Sequence, residues 1–166
     1  MRKIWAMSLS RRAMLALTGG AACAVLSTRE SAAQTVIFET TQLTLVTHSG
    51  RYDFVVKVAD DPIKSKLGLR YQNNVPPDGG MLFPTNVGNP GELKIVTQGL
   101  MLTTDILFIS DDGRVVELHP WVKPNSADVV SMMPVAAALQ LAGGTISRLG
   151  ITFGDRVLSS MFHQTI

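Results

Sequence analysis

Two aspartate residues offer the clearest opportunity for acid–base chemistry in this sequence, Asp105 and Asp155. Two carboxyl groups within roughly 5–9.5 Å of each other can hydrolyse a glycosidic bond, since one donates a proton while the other acts as base or nucleophile. The competing interpretation is structural: Asp105 accepts backbone hydrogen bonds at the start of a strand, and Asp155 caps a turn after Gly154. We prefer the structural interpretation and keep a carboxylate-dependent hydrolase as an alternative function.

Nucleophilic catalysis has little support in the rest of the sequence. There is no G-x-S-x-G motif, and the single cysteine, Cys23, lies near the N-terminus. Three histidines could serve as general bases, but they occupy a turn, a strand end and the C-terminal region: His48, His119 and His163. Each is expected to be solvated or hydrogen-bonded. The pattern therefore favours a protein that is not an enzyme.

Metal binding depends on one group of residues. No C-x-x-C, H-E-x-x-H or H-x-H spacing occurs, so we predict no bound metal and no other cofactor. Thioethers together with a histidine can bind Cu(I), and the adjacent Met132 and Met133, with His119 nearby, are where such a site would form. The competing interpretation is that methionine fills gaps in the core. A metal-binding accessory protein is a second alternative.

Residues 1–33 have the organisation of a signal peptide. The paired Arg11 and Arg12 are followed by a short apolar run over 16–26, and small residues precede a cleavage site before Gln34. Paired arginines indicate the twin-arginine export route. Because the apolar run is shorter than the roughly 20 residues that span a bilayer, we prefer cleavage to retention as a membrane anchor. We predict a periplasmic or secreted protein.

Removal of this leader changes the charge of the protein. Five of the 15 Lys and Arg residues and one of the 13 Asp and Glu residues lie in 1–33, which leaves 10 basic and 12 acidic residues in 34–166. The basic character thus belongs to the leader, and neither nucleic acid nor stable membrane insertion is predicted for the rest. Cys23 is removed as well, so the remaining chain has no thiol and no disulfide.

Residues 34–166 predict a single α+β domain with a mostly antiparallel, curled or barrel-like sheet and two short helices. Period-two alternation and turn residues indicate a hairpin followed by six further strands. An acidic cap before Pro62 begins one helix and Gly68 ends it, while Gly150 ends the other. The predicted strands are 41–47, 52–59, 81–83, 94–102, 105–110, 115–119, 135–141 and 156–162, and the predicted helices are 62–67 and 145–149.

Three stretches, in this order, carry a family resemblance. They read GL…PPDGGMLF over 68–83, DILFISDDGRVV over 105–116 and LQLAGGT…LGI…GDRV over 139–157. Together they resemble the GLM-x-R…GMLF, LDILFID-x-x-GRVV and LELNAGT…GI-x-x-GDRV segments of the DUF192 (UPF0127) family of small, often exported domains. The family has no assigned chemistry, so the resemblance implies a fold without implying an activity.

The sequence departs from that family pattern at polar positions. Gln72 stands where the family usually has Arg, and Gln98 lies in the run VTQGL where the family typically has a WMKNT-like run. The resemblance therefore implies that any ligand site of the family is altered or absent here. What the sequence keeps is Asp105, the turn glycines and the corner formed by Gly154 and Asp155, which are mostly residues that specify a fold.

The preferred function is a non-enzymatic exported domain that binds an envelope glycan or a protein partner. Trp121 lies in a predicted loop, and an aromatic ring with a polar edge suits the surfaces of sugars and proteins. The predicted ligand contacts are Gln72, Gln98, Asp105, Trp121 and Asp155. No feature of the sequence specifies an oligomeric state.

Overall fold

The structure, a computed structural model, describes residues 36–85 and 91–162. Its elements confirm the predicted α+β class, and within these ranges no helix is long and apolar enough to cross a membrane. The predicted leader, Cys23 and His163 lie outside the described residues. In chain order the elements are β1 (Glu39–Thr47), β2 (Gly50–Val58), α1 (Pro62–Leu67), β3 (Gly79–Pro84), β4 (Lys94–Ile95), β5 (Thr104–Ile109), β6 (Val115–Val122), β7 (Val129–Val130), β8 (Ala137–Ala142), α2 (Thr145–Leu149) and β9 (Arg156–Leu158).

Seven strands form one curled sheet in the order β6-β5-β8-β3-β2-β1-β9, and β4 pairs with β7 in a small separate sheet. Neighbours in the large sheet are antiparallel except β2 and β3, which are parallel and connected through α1. A bridge between Arg114 and Arg156 brings the beginning of β6 beside the beginning of β9, which are the two edge strands. The sheet therefore curls until its edges meet at one end, which confirms the predicted mostly antiparallel, curled architecture.

The hairpin and the first helix follow from the local sequence. Polar and apolar residues alternate along β1 and β2, and this alternation buries Leu43, Leu45, Phe54 and Val56. The helix α1 begins at Asp61, whose Oδ1 accepts hydrogen bonds from the backbone N–H groups of Ile63 (2.7 Å) and Lys64 (2.8 Å). This side-chain cap satisfies two donors that have no partner within the helix.

Both faces of the strand β5, which lies between β6 and β8, are buried. Leu107 and Ile109 belong to one apolar cluster, which also contains residues of α2, whereas Ile106 and Phe108 belong to a second cluster beneath β4 and β7. Successive side chains of a strand point to opposite faces, so one strand contributes to both cores. The second cluster depends on the long connections between strands, and these connections carry most of the residues of interest below.

The strand predicted over 94–102 is largely wrong, because β4 covers only Lys94–Ile95. The backbone groups that follow are engaged by side chains from another part of the chain. Thr97 N donates to Asp128 Oδ1 (3.1 Å), and Gly99 N donates to Asn125 Oδ1 (3.0 Å). These side chains replace the neighbouring strand that a longer β4 would need, and the segment 96–103 is a loop.

Two further strand ends differ from the prediction. The strand β6 continues to Val122, which pairs with Thr104, instead of ending at His119. The strand β9 ends at Leu158 instead of residue 162, because it pairs with β1 over only three residues. A turn follows in which Phe162 N donates to the carbonyl of Ser159 (3.2 Å).

Candidate binding surface

Trp121, near the end of β6, has an unusual backbone and an exposed ring. Its φ of 55° lies in the left-handed region, and 56% of the residue is exposed. A bulky residue at positive φ is uncommon, because its Cβ crowds the following carbonyl at a cost of roughly 1–2 kcal/mol. Such strain persists only where neighbouring groups hold the residue in place.

The group that holds Trp121 is the carboxylate of Asp105. Asp105 is completely buried, its Oδ1 accepts a hydrogen bond from Trp121 N (2.9 Å), and its Oδ2 accepts one from Ile146 N (2.7 Å). One carboxylate thereby joins β5 to the end of β6 and to the first turn of α2. Because Asp105 has no exposed surface, a ligand arriving from solvent would not contact it. The structure therefore replaces the predicted ligand-contact role of Asp105 with a positioning role.

The ring of Trp121 lies against Gly144, the residue that precedes α2. A Cβ atom added to Gly144 would lie 2.7 Å from a carbon of the Trp121 ring, and Gly144 itself has a φ of 88°. Glycine is the residue that tolerates both conditions, since it has no Cβ and adopts positive φ without strain. In the sequence, the pair Gly143-Gly144 is the feature that accompanies this contact. The pair predicts a turn, but not that Trp121 packs against it.

Gly144→Ala is expected to move the Trp121 ring, and Gly154→Ala provides the matched control. Both glycines have φ near 88°, so alanine at either position carries a similar left-handed penalty of about 1 kcal/mol. Only the methyl group at 144 meets the Trp121 ring, since nothing lies within 4 Å of a Cβ at 154. In a Trp5→Phe chain, where Trp121 is the only tryptophan, we expect Gly144→Ala alone to shift the emission spectrum. Identical spectra for the two variants would contradict this contact.

The loop 96–103 lies beside Trp121 and is fixed from both sides. Tyr71 N donates to the carbonyl of Gly99 (3.2 Å), and Gly99 N donates to the side chain of Asn125. Tyr71 (φ 63°) and Asn125 (φ 55°) are also in the left-handed region. All three non-glycine residues with positive φ in the described ranges, Trp121 included, are therefore at or next to this loop.

Asp128 anchors the same loop electrostatically. Its Oδ1 accepts the hydrogen bond from Thr97 N, and its Oδ2 lies 3.1 Å from Lys94 Nζ. The backbone hydrogen bond, followed by the Lys94 ammonium group, lowers the pKa of Asp128 below its ordinary value. Thr97 itself is fully buried, and its hydroxyl donates to the carbonyl of Ser126.

We call the exposed side chains around this loop the loop face, defined as Tyr71, Gln98, Met101 and Trp121. Tyr71, Met101 and Trp121 are large side chains that are 71%, 60% and 56% exposed. Tyr71 bonds to the loop at Gly99, and Trp121 immediately precedes Val122, which pairs with the first residue of β5 after the loop. Sequence reasoning singled out Gln98 and Trp121 but missed Tyr71 and Met101, which carry no recognisable sequence signal.

Gln72 lies beside the loop face but is held by other residues. Its Oε1 accepts a hydrogen bond from Lys57 Nζ (3.4 Å), and its Nε2 is 3.5 Å from the carbonyl of Gly68. The Gln98 side chain is exposed, while its carbonyl accepts a hydrogen bond from Arg70 Nε (2.6 Å). Arg70 thus ties the end of α1 to the loop 96–103.

The cavity that lies against the loop 96–103 is small. The cavity between 65–70 and β4 is about 20 Å³, which is space for one water molecule. Two open grooves of about 390 Å³ and 280 Å³ lie instead on the outer side of β1 and β2, where Asp53 and Asp78 line both. None of the five predicted contact residues lines these grooves.

Asp155 lies at the opposite end of β6 from Trp121. Its carbonyl accepts a hydrogen bond from Val115 N (2.8 Å), and its Oδ2 caps Thr152 N (2.7 Å). Val115 and Trp121 are six residues apart on one strand, which corresponds to about 20 Å. The structure therefore does not bring Asp155 together with Trp121 and Asp105. The two carboxylates of the hydrolase alternative are too far apart to act on one bond.

Two other arrangements that metal binding or catalysis could use are a cluster of His, Cys, Asp and Glu side chains and an activated histidine. Within 36–85 and 91–162 there is no group of three or more His, Cys, Asp or Glu side chains that could hold a metal ion. His48 Nε2 lies 3.0 Å from the hydroxyl of its neighbour Ser49 in the turn between β1 and β2. That contact is local to an exposed turn, whereas a catalytic histidine is usually oriented by a carboxylate.

The fold defines the class of protein: a small α+β domain with a curled sheet, one face of which is covered by the connections that carry β4 and β7. Trp121 is exposed at the end of β6. The DUF192 profile, described as "Uncharacterized ACR", matches residues 44–159. The chain belongs to the DUF192 family, which confirms the predicted resemblance. None of the curated proteins matches this chain.

Two solved structures have the same fold. A protein from Sinorhizobium meliloti 1021, described as a proposed transcription regulator, is 35% identical, with a TM-score of 0.72, over 77% of this chain and 99% of its own. A protein of unknown function from Novosphingobium aromaticivorans DSM 12444 is 27% identical, with a TM-score of 0.69, over 78% of this chain and 94% of its own.

Proposed function

We propose that this protein is an exported, non-enzymatic binding domain and that its contact surface is the loop face centred on Trp121. The observation that carries the proposal is the strained, exposed tryptophan held by a fully buried carboxylate. The indole ring of Trp121 is mostly exposed, so the strained backbone of Trp121 is not offset by burial of the ring. A ring that is fixed in advance and left exposed is prepared for contact with another molecule, because less conformational entropy is lost on binding.

The shape and composition of the loop face favour a glycan as the ligand. Small-molecule sites are concave and enclose most of their ligand, whereas the cavity beside the loop 96–103 has space for about one water molecule. An extended glycan can lie across an open surface, stacking on Tyr71 and Trp121 and bonding to the amide of Gln98. A protein partner is the other occupant of such a surface, and the experiment below separates the two.

The proposal does not extend to nucleic acid, although one structural neighbour is described as a proposed transcription regulator. Residues 34–166 contain 10 basic and 12 acidic residues. Binding to DNA or RNA relies on clustered Lys and Arg that neutralise phosphates. The proposed location outside the cytoplasm rests on the twin-arginine leader over 1–33, which accounts for all of the net positive charge of the chain.

Trp121 provides its own signal for a binding test. In a Trp5→Phe chain we expect peptidoglycan fragments or envelope polysaccharides to change Trp121 emission in a saturable way. Trp121→Ala should weaken binding, measured by calorimetry, by about 30-fold, which is typical of a central aromatic contact. Phe153→Ala is the matched control, since Phe153 is 72% exposed but lies near Asp155, far from the loop face.

The outcomes separate the ligand classes. Binding of an envelope protein but of no glycan, with the same loss in Trp121→Ala, would replace the glycan with a protein partner. Equal affinities for Trp121→Ala and Phe153→Ala would show that the loop face is not the contact surface. Turnover of any glycan would contradict the non-enzymatic role.

A further inference from the structure

Two adjacent methionines on the surface are not explained by packing. Met132 is 86% exposed and Met133 is 48% exposed, in the turn between β7 and β8. Methionine usually fills gaps in a core, as the fully buried Met81 does here. Core packing therefore accounts for Met81 but not for Met132 and Met133.

The turn that carries these methionines is fastened to β6 by a carboxylate. Glu117 Oε1 accepts a hydrogen bond from the backbone N–H of Met132 (2.7 Å). The Glu117 side chain is only 9% exposed, although its partner Met132 lies at the surface. The backbone of Met132 is thus held above the outer face of β6, although its side chain stays in solvent.

The second oxygen of the same carboxylate contacts a histidine. Glu117 Oε2 lies 3.4 Å from His119 Nε2, and the His119 ring meets the edge of Phe108, with centroids 5.5 Å apart at 87°. Glu117 therefore contacts both the backbone of Met132 and the ring of His119. A carboxylate beside Nε2 favours the tautomer with its proton on Nε2 and its lone pair on Nδ1. Histidines that bind metals are usually oriented by such a carboxylate partner.

We propose that Met132, Met133 and His119 form a binding site for a soft monovalent metal ion, Cu(I), with Glu117 as its positioning residue. Thioether sulfur and imidazole nitrogen prefer Cu(I) over hard cations such as Mg²⁺ and Ca²⁺, which require oxygen ligands. Methionine has three rotatable bonds, so both thioethers can turn toward the His119 ring. This site is independent of the loop face and of the glycan proposal.

The test uses the full chain with Cys23→Ser, because a free thiolate would itself bind Cu(I). Cu(I) would be supplied against a chromophoric competing chelator, and methionine methyl groups labelled with ¹³C would be followed by NMR with Ag(I) as a redox-inert substitute. We expect one metal ion per chain and shifted methyl signals for Met132 and Met133. Met101 is the matched control, since it is 60% exposed and lies in the loop 96–103.

Variants distinguish this site from scattered thioether binding. We expect Met132→Leu with Met133→Leu, His119→Asn, and Glu117→Gln each to lower Cu(I) affinity by at least about tenfold. Met101→Leu should leave it unchanged. The exposed leucines test the ligands without disturbing the core, and circular dichroism would confirm folding of the His119 and Glu117 variants. Binding that is insensitive to Met132→Leu with Met133→Leu, or lost equally in Met101→Leu, would overturn the proposal, as would the absence of binding.

Discussion

Asp105→Ala is expected to lower the free energy of unfolding by about 4 kcal/mol. The substitution removes the carboxylate that accepts hydrogen bonds from two backbone N–H groups, those of Trp121 (2.9 Å) and Ile146 (2.7 Å). Leaving a buried donor without a partner costs roughly 1–3 kcal/mol, and here two donors are affected at once. Because these donors belong to different elements, the loss also frees the end of β6 from the first turn of α2. Urea denaturation followed by circular dichroism would measure the change.

Two further variants separate this role from a general effect of losing an aspartate. Asp155→Ala removes one cap, at Thr152, in an exposed turn, and should cost only about 1 kcal/mol. Asp105→Asn keeps one acceptor oxygen but places an NH₂ donor opposite a backbone donor, so its cost should approach that of alanine. A cost below 1 kcal/mol for Asp105→Ala would contradict the positioning role. An unchanged Trp121 emission spectrum in that variant would contradict it as well.

The elements that could be predicted from the sequence are those whose causes are local. The hairpin of β1 and β2 follows from period-two alternation, and α1 follows from its Asp61 cap and from Gly68 at its end. The strand β5 reads as an apolar run because both of its faces are buried, each in a different core. In these segments the residues that decide the structure lie within a few positions of one another.

The loop 96–103 could not be predicted in this way. Its sequence is apolar enough to resemble a strand, but its backbone donors bond to Asn125 and Asp128, about thirty residues further along the chain. A side chain can replace a neighbouring strand as hydrogen-bond acceptor, and this outcome depends on tertiary structure. The loop face is equally hard to predict, since Tyr71 and Met101 are exposed beside a loop whose shape depends on distant residues.

The site was predicted in part, because residue type was informative while spatial arrangement was not. The sequence predicts Trp121 and Asp105 as ligand contacts, and for Asp105 it also offers the preferred alternative of a carboxylate that accepts backbone hydrogen bonds; in the structure Asp105 accepts such a bond from Trp121 and supports it. Asp155 was grouped with them through its family position, but it lies at the other end of β6. The sequence does not distinguish an aspartate that is buried and accepts backbone hydrogen bonds from one that is exposed to solvent.

The largest packing effect is expected for Gly80→Ala in β3. A Cβ at Gly80 would lie 2.5 Å from the carbonyl oxygen of Gln140 and 2.8 Å from a methyl carbon of Leu141. The carbonyl belongs to β8, which pairs with β3 and is itself paired with β5, so it cannot move without disturbing two ladders. Overpacking of a core typically costs 1–3 kcal/mol, and a clash with a fixed backbone should cost about 3 kcal/mol or more.

Gly91→Ala is the control that makes this prediction specific. Gly91 also pairs with another segment, through a bridge to Val135, but nothing lies within 4 Å of a Cβ at that position and its φ is not positive. Alanine there should be neutral or slightly stabilising, because it restricts the unfolded chain. Thermal unfolding of the two variants should therefore differ in sign as well as in size. Similar melting temperatures would mean that β3 and β8 are further apart at Gly80 than the 2.5 Å contact requires. That result would contradict the close pairing of these two strands.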